Sequence, residues 1–138
     1  MTDTTYLLHP IGRVSSPLRI RALAPKQGGE GGSAAWLELD PEVTAGLDGL
    51  QRGDELVVLT WLHLAERDVL RVHPGGEEER PERGVFATRS PSRPNPIGLH
   101  RVTLLAIEPG RLQVEPLEAI DGTPVLDLKP ARTELPDD

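Results

Sequence analysis

Cysteine is absent from the 138 residues, and its absence excludes disulfide bonds and any chemistry that depends on a thiolate. Long apolar runs are missing as well. The segment 1–10 lacks a basic stretch followed by an apolar one, so neither a signal peptide nor a membrane span is predicted. We therefore expect a cytoplasmic protein that does not associate with membranes.

Metal-ligand clusters and phosphate-binding motifs are equally scarce. The four histidines are scattered without the spacing of a zinc site, so no metal is expected. The glycine-rich stretch 26–33 is not followed by the helical pattern that a phosphate-binding loop requires. Aromatic residues are limited to two Trp, one Tyr and one Phe, which leaves few side chains to stack on bases.

Lysine occurs only at Lys26 and Lys129, so basic chemistry in this chain means arginine. The net charge is −7, from 22 acidic and 15 basic residues, which argues against binding nucleic acid by bulk electrostatics. The segment 80–101 reverses this balance, because its single carboxylate, Glu82, is accompanied by Arg80, Arg83, Arg89, Arg93 and Arg101. An anionic partner is therefore most readily bound at this one place.

Glycine and proline are abundant, at 14 each, and the apolar stretches are short. This composition favours many strands joined by turns, at 6–14, 34–39, 55–64, 69–73, 84–88, 99–108, 111–116 and 124–128. One minor helix is expected after Asp40, with Pro41 at its first position. We predict an all-β fold: a small single-domain β-barrel of mostly antiparallel strands over residues 1–138, with a tail that frays from residue 130.

Two local patterns say more about the sheet. The run 57–62 is apolar on both parities, as expected for a central strand that is covered on both faces. Pro109 and Gly110 occupy the positions that a type II turn requires, so the strands on either side of them are predicted to form a hairpin.

The stretch 83–101, RGVFATRSPSRPNPIGLHR, breaks an apolar run with three prolines. Prolines fix their own φ angles and restrict the residues before them, so this proline loop is rigid before any ligand binds. Arg89 and Arg93 therefore either pair with surface carboxylates or present their charge to an anionic ligand. The sequence leaves both readings open.

Three further polar positions are ambiguous. Asp121 precedes a glycine and is either a turn residue or a functional carboxylate. His63 ends a buried run and is either a satisfied core histidine or a catalytic group. Asp127 lies between two leucines on a predicted strand, so it needs a partner, and an arginine of the proline loop would serve.

Three motifs are similar to the signatures of a known family: GVFATRSP at 84–91, RPNPIGL at 93–99 and DGTPVLDLKP at 121–130. They resemble those of the TrmO family, also called TsaA-like or YaeB-like, of S-adenosylmethionine-dependent tRNA methyltransferases. The resemblance implies a TsaA-like β-barrel, S-adenosylmethionine as cofactor and a homodimer with its sites near the subunit interface. The reaction it implies is N6-methylation of threonylcarbamoyl-adenosine in tRNA.

The resemblance also assigns site residues by motif. The cofactor-binding residues it implies are Gln27, Gly28, Gly29, Leu62, His63, Arg89, Leu99, Glu118, Ala119, Ile120 and Asp121. Arg93 and Asn95 would shape the same pocket, and His63 or Asp121 would accept a proton from the nucleophile. The chain departs from the family at Leu62 and His100, where phenylalanine and serine are expected.

Elementary chemistry agrees with such a site. Methyl transfer is an in-line displacement at a sulfonium, so the protein must mainly align the donor and the nucleophile and exclude water. Arg89 suits the methionyl carboxylate, and Glu118 or Asp121 suits the ribose hydroxyls or the cationic amine. Because the chain is acidic, a small-metabolite acceptor and a non-catalytic cofactor-binding module remain alternatives to tRNA.

Overall fold

Residues 4–17 and 33–131 are described by the structure, a computed structural model. Eight strands lie within these ranges: β1 (Gly12–Ser15), β2 (Ala35–Leu39), β3 (Glu55–Trp61), β4 (Arg71–Val72), β5 (Arg83–Gly84), β6 (Ile97–Glu108), β7 (Arg111–Glu115) and β8 (Pro124–Pro130). Strands β1-β2-β7-β6-β3-β8 close into a barrel in that order, and β4 and β5 form a separate two-stranded sheet. All of these pairs are antiparallel, which confirms the predicted all-β barrel.

The core lies inside the barrel and is built from alternate residues of its strands. Leu37, Val58, Leu104, Leu112 and Val114 have no exposed surface, and they come from four different strands. Period-2 alternation explains this arrangement, because successive side chains of a strand point to opposite faces of the sheet. The hairpin predicted at Pro109 and Gly110 joins β6 to β7, and Gly110 has the positive φ, +73°, of a type II turn.

The minor helix predicted after Asp40 is present as a 3-10 helix, Pro41–Leu47, with proline in its first turn. It buries no residue fully, but Val43 and Leu47 pack against the edge of the core. Two shorter 3-10 helices, Pro74–Gly76 and Val85–Ala87, also lie in the described ranges and were not predicted.

The strand predicted at 84–88 is wrong. The chain forms the 3-10 helix Val85–Ala87 there, with Val85 buried and Phe86 80% exposed. The carbonyl oxygens of Val85 and Thr88 accept hydrogen bonds from the Arg93 side chain, and these bonds replace a strand ladder. An apolar pattern alone could not reveal a partner that lies farther along the chain.

Strand β3 is flanked by β6 and β8, in agreement with its predicted central position. Its inward residues Leu56, Val58 and Thr60 are buried, whereas Leu59 and Trp61 on the outer face are half-buried. The expectation that both faces are covered is therefore met only in part. Apolar residues on the outer face of a closed barrel have no core to enter.

One end of the barrel gathers segments that are distant in the sequence. Because β3 runs antiparallel to both β6 and β8, the carboxyl end of β3 meets the amino ends of the other two. We call this end the barrel mouth, and define it by Leu62 and His63 after β3, residues 88–96 before β6 and residues 118–123 before β8.

Candidate functional site

The barrel mouth brings together the three groups of residues that sequence motifs predicted as a site. Leu62 is half-buried, and its amide donates to the carbonyl oxygen of Pro96 at 2.8 Å, which ties the end of β3 to the proline loop. His63 beside it is exposed. Leu99 lies on the outer face of β6, opposite Leu59, and is 51% exposed.

The proline loop is organised from within by Arg93. Its guanidinium donates to the carbonyl oxygens of Val85, Thr88 and Ser90. Its own amide donates to the carbonyl oxygen of Glu66 at 3.0 Å. Within the described residues Arg93 pairs with no carboxylate, and its half-buried guanidinium is bonded to the loop's own backbone. It holds the backbone of the loop, and its role in shaping a ligand pocket stays a prediction.

Arg67 holds the loop from outside, and this role was not predicted from the sequence. Arg67 stacks over the Trp61 ring at 5.0 Å, and its Nε donates to the carbonyl oxygen of Pro94 at 2.9 Å. Its Nη2 donates to Asn95 Oδ1 at 3.2 Å, and the Glu66 amide donates to Ser92 Oγ at 3.3 Å. Arg67 lies in an ordinary charged run, so nothing in the pattern separated it from a solvated surface residue.

Arg89, unlike Arg93, presents its side chain to solvent. It is exposed and, within the described residues, its guanidinium makes no hydrogen bond or ion pair. Arg93 bonds to the carbonyl oxygens of Thr88 and Ser90, on either side of Arg89, so the loop is held while this cation stays available. An exposed, unpaired guanidinium on a fixed backbone suits a carboxylate or phosphate ligand.

The segment before β8 is a tight turn bound to β1. Asp121 Oδ1 accepts a hydrogen bond from the Ser16 amide at 3.0 Å, and the Gly122 amide donates to the Val14 carbonyl oxygen at 2.8 Å. Gly122 has a φ of +87°, which only glycine adopts without strain. Asp121 therefore has the turn role that its Asp-Gly pair predicts, and its proton-accepting role stays a prediction.

The remaining predicted residues differ in what they can offer a ligand. Glu118 and Ile120 are half-buried, whereas the side chain of Ala119 belongs to the core, so only its backbone is available. Gln27, Gly28 and Gly29 lie outside the described residues.

The arginine partner predicted for Asp127 is wrong. Asp127 is exposed, and its Oδ1 accepts a hydrogen bond from the adjacent Leu128 amide at 2.8 Å. Strict alternation from the buried Val125 would turn Asp127 inward, but the β-bulge between Leu59 and Thr60 in the pairing of β3 with β8 leaves it on the outer surface.

A polar pair lies inside the mouth, beneath Leu62. Thr60 is completely buried, and its Oγ1 lies 2.9 Å from His100 Nε2. Burial lowers the pKa of His100 to about 4, so this imidazole is neutral at physiological pH. The sequence offered one signal for the pair, a threonine within the apolar run 57–62.

Other candidate sites are weak. Among residues 4–17 and 33–131, no cluster of His, Asp and Glu is suited to a metal ion. No helix in these ranges is long and apolar enough to span a membrane. An open groove of about 710 Å³ lined by Arg52, Leu105, Ala106, Ile107 and Gln113 includes none of the predicted site residues.

The sequence matches the family described as the tRNA-methyltransferase O N-terminal domain over residues 13–135. The chain belongs to this family. TrmO family membership also agrees with the motif residues that meet at the barrel mouth.

Curated relatives and solved structures are consistent with the match. A probable S-adenosyl-L-methionine-binding protein of Methanothermobacter thermautotrophicus is 47% identical, with 94% of this chain and 93% of the relative covered. An S-adenosyl-L-methionine-binding protein of Archaeoglobus fulgidus is 46% identical, with 94% and 91% covered. The crystal structure of TrmO from Pseudomonas aeruginosa has a TM-score of 0.74 and 30% identity, and covers 98% of this chain. This chain spans 61% of that TrmO chain.

Proposed function

We propose that this TrmO-family protein is an S-adenosylmethionine-dependent methyltransferase whose acceptor is the N6 nitrogen of threonylcarbamoyl-adenosine in tRNA. The observation that carries the proposal is the meeting of three family motifs at one barrel mouth, around a rigid loop that presents Arg89. Relatives named as S-adenosyl-L-methionine-binding proteins support the choice of cofactor.

The chemistry of the mouth fits S-adenosylmethionine. The cofactor has a carboxylate, a cationic amine, a ribose diol and an apolar adenine face, and each has a counterpart here. Arg89 is unpaired within the described residues and suits the carboxylate. The half-buried Glu118 and Asp121 suit the amine or the diol, and the apolar Leu62 and Leu99 suit the adenine. Bound cofactor would supply an electrophilic methyl group on its sulfonium.

The residues of the mouth would contribute mainly alignment. Arg93 and Arg67 hold the backbone of the loop, so that Arg89 need not be ordered at the moment of binding. Leu62, fastened to Pro96, would limit the access of water. We assign the removal of the acceptor proton to His63 or Asp121, since an imidazole or a carboxylate can accept it.

One observation favours a second acceptor class, a small metabolite. Two arginines of the segment 80–101 are in ion pairs: Arg80 pairs with Glu77 at 2.6 Å and Arg101 with Glu55 at 2.9 Å. The half-buried guanidinium of Arg93 is already hydrogen-bonded to backbone carbonyl oxygens. The positive surface available to a nucleic acid on one chain is therefore smaller than the composition suggests.

Labelled S-adenosylmethionine tests the proposal. The purified protein should bind it, and Arg89→Ala should raise its Kd roughly tenfold to a hundredfold, because hydrogen bonds to a charged group are lost. Arg83→Ala is the matched control, since Arg83 is also exposed and outside any ion pair of the described residues; its Kd should stay within about twofold of wild type.

The same labelled cofactor identifies the acceptor, because the labelled methyl group is transferred to it. Methyl transfer to tRNA, with binding that weakens steeply as salt rises, supports the tRNA proposal. Label that enters only a small-metabolite extract supports the second acceptor class and contradicts the first. Absence of cofactor binding by the wild-type protein contradicts both.

We further propose a homodimer formed through the outer face of the barrel near the mouth. Leu59 and Leu99 face each other across β3 and β6, Trp61 faces Ile97, and Ile97 and Leu99 are 43% and 51% exposed. This apolar strip lies beside the candidate site, and a second copy would cover it.

Sedimentation measures this association. We expect the wild-type protein to have about twice the 15.0 kDa mass of one chain, and Leu59→Glu to raise the dimer Kd at least about tenfold. Ile107→Glu is the control, because Ile107 is 46% exposed near the opposite end of β6. A wild-type monomer, or equal effects of both variants, would contradict this interface.

A further inference from the structure

The barrel interior contains a polar pair where the other inward residues nearby are apolar. Thr60 has no exposed surface, and its Oγ1 lies 2.9 Å from Nε2 of His100, a residue that also points inward. Val58 and Val102, the inward neighbours on the same two strands, are buried. Burying a hydroxyl and an imidazole costs free energy unless they bond to each other, so the two side chains are held together in the barrel interior.

Gly98 connects the pair to the candidate site. It faces Thr60 across β3 and β6 and immediately precedes Leu99. A Cβ placed on Gly98 would lie 2.5 Å from Thr60 Oγ1, 2.8 Å from His100 Nε2 and 3.1 Å from Leu62 Cδ2. These three atoms therefore converge on one point above Gly98. The hydrogen-bonded pair therefore lies beside the end of the Leu62 side chain.

We propose that Thr60 and His100 are a positioning pair, which fixes Leu62 and the first residues of β6 at the cofactor-binding edge of the mouth. The inference rests on the proposed cofactor site, and it adds to that site two residues that touch no ligand themselves. Without the hydrogen bond, Thr60 and His100 move apart, and Leu62 loses the surface that sets its position.

The direction of the hydrogen bond follows from the available partners. Thr60 Oγ1 has no other partner in the described residues, so a hydroxyl that only accepted from His100 Nε2 would leave its own hydrogen without an acceptor. We therefore assign the Thr60 hydroxyl as the donor and His100 Nε2 as the acceptor. A protonated imidazole has no such lone pair, so a hydrogen bond in this direction requires neutral His100.

The surroundings keep His100 neutral. Burial lowers its pKa to about 4. The inward residues around it on β3, β6 and β8 are apolar or Thr60. The charged residues of these strands lie on the outer face: Glu55, Arg101, Glu108, Asp127 and Lys129. No facing carboxylate is available there to stabilise the imidazolium.

A double-mutant cycle tests the pair through the Kd of S-adenosylmethionine. Thr60→Val and His100→Leu should each weaken binding about fivefold, and the double variant also about fivefold rather than about 25-fold, because either change removes the same hydrogen bond. His100→Gln keeps a polar group that can accept from Thr60, and it should restore the Kd to within about twofold of wild type. Thr103→Val on the outer face of β6 is the matched control and should change nothing.

The ¹⁵N shifts of the His100 ring give a readout that is independent of the cofactor. They should show a neutral ring with an accepting Nε2 in wild type, and a changed Nε2 shift in Thr60→Val. An unchanged shift overturns the pair, and so do multiplying effects or a Kd that neither variant alters. If wild type binds no cofactor, the proposed function fails and the inference falls with it. If wild type binds and the variants match it, only the inference fails.

Discussion

Gly12→Ala is expected to lower the free energy of unfolding by roughly 3 kcal/mol, because the new methyl group would collide with main-chain atoms. Gly12 lies on β1, where it pairs with Leu39 of β2 and Val125 of β8. Its Cβ would lie inside contact distance of the Glu38 carbonyl oxygen and 3.0 Å from Leu39 Cα. Main-chain atoms of a paired strand cannot rotate away as a side chain can, so relief requires β1 and β2 to separate where the barrel closes.

Denaturant unfolding of wild type and variant measures this loss. Gly46→Ala is the control, because a Cβ at Gly46 meets nothing within 4 Å and its φ is not positive. That variant should stay within about 0.5 kcal/mol of wild type. Similar unfolding midpoints for Gly12→Ala and Gly46→Ala would show that β1 is not held as tightly as its pairing indicates.

Acidification is expected to remove about 3 kcal/mol of stability between pH 6.5 and pH 4 through His100 alone. Its pKa falls from the ordinary value of 6.5 to about 4 in the folded protein, since burial disfavours the imidazolium. The unfolded chain therefore binds more protons than the folded one in this interval, and stability falls as the pH falls. Above pH 6.5 the contribution is fully present, because the imidazole is neutral in both states.

The difference between wild type and His100→Gln isolates this contribution. Carboxylates such as Glu82, whose pKa is lowered mainly by its hydrogen bond from Arg71, titrate in both proteins and cancel in the comparison. Unfolding free energies at pH 7 and pH 4.5 should differ more in wild type than in the glutamine variant. Parallel losses in the two proteins would contradict a neutral, buried His100.

The strands and hairpins of the barrel could be predicted because residues close together in the sequence specify them. Alternation in 111–115 and the Pro109–Gly110 turn specify a hairpin without any distant partner, and the structure contains it. The strand prediction for the segment 84–88 failed for the opposite reason. Its apolar residues suit a strand, but its carbonyl oxygens bond to the Arg93 guanidinium, a contact between residues that no periodicity connects.

The candidate site could be predicted only as a set of motifs. The sequence identified Arg89, Arg93 and Asn95 together, but it could not distinguish an arginine that faces solvent from one that holds the backbone. The Thr60–His100 pair emerges only from the pairing of β3 with β6, and the Arg67 contacts only from the packing of two loops that lie far apart in the sequence.

The way Arg93 holds the proline loop bears on how the loop can be redesigned. Its guanidinium recognises main-chain carbonyl oxygens, which every amino acid possesses. Side chains on the solvent side, such as Phe86 and Arg89, can therefore be exchanged without removing the bonds that give the loop its shape. Lysine in place of Arg93 would forfeit this property, since one ammonium lacks the planar fork that reaches several carbonyls at once. The loop backbone should therefore keep its shape when its exposed side chains are replaced, which suits it to selecting variants with altered ligand preference.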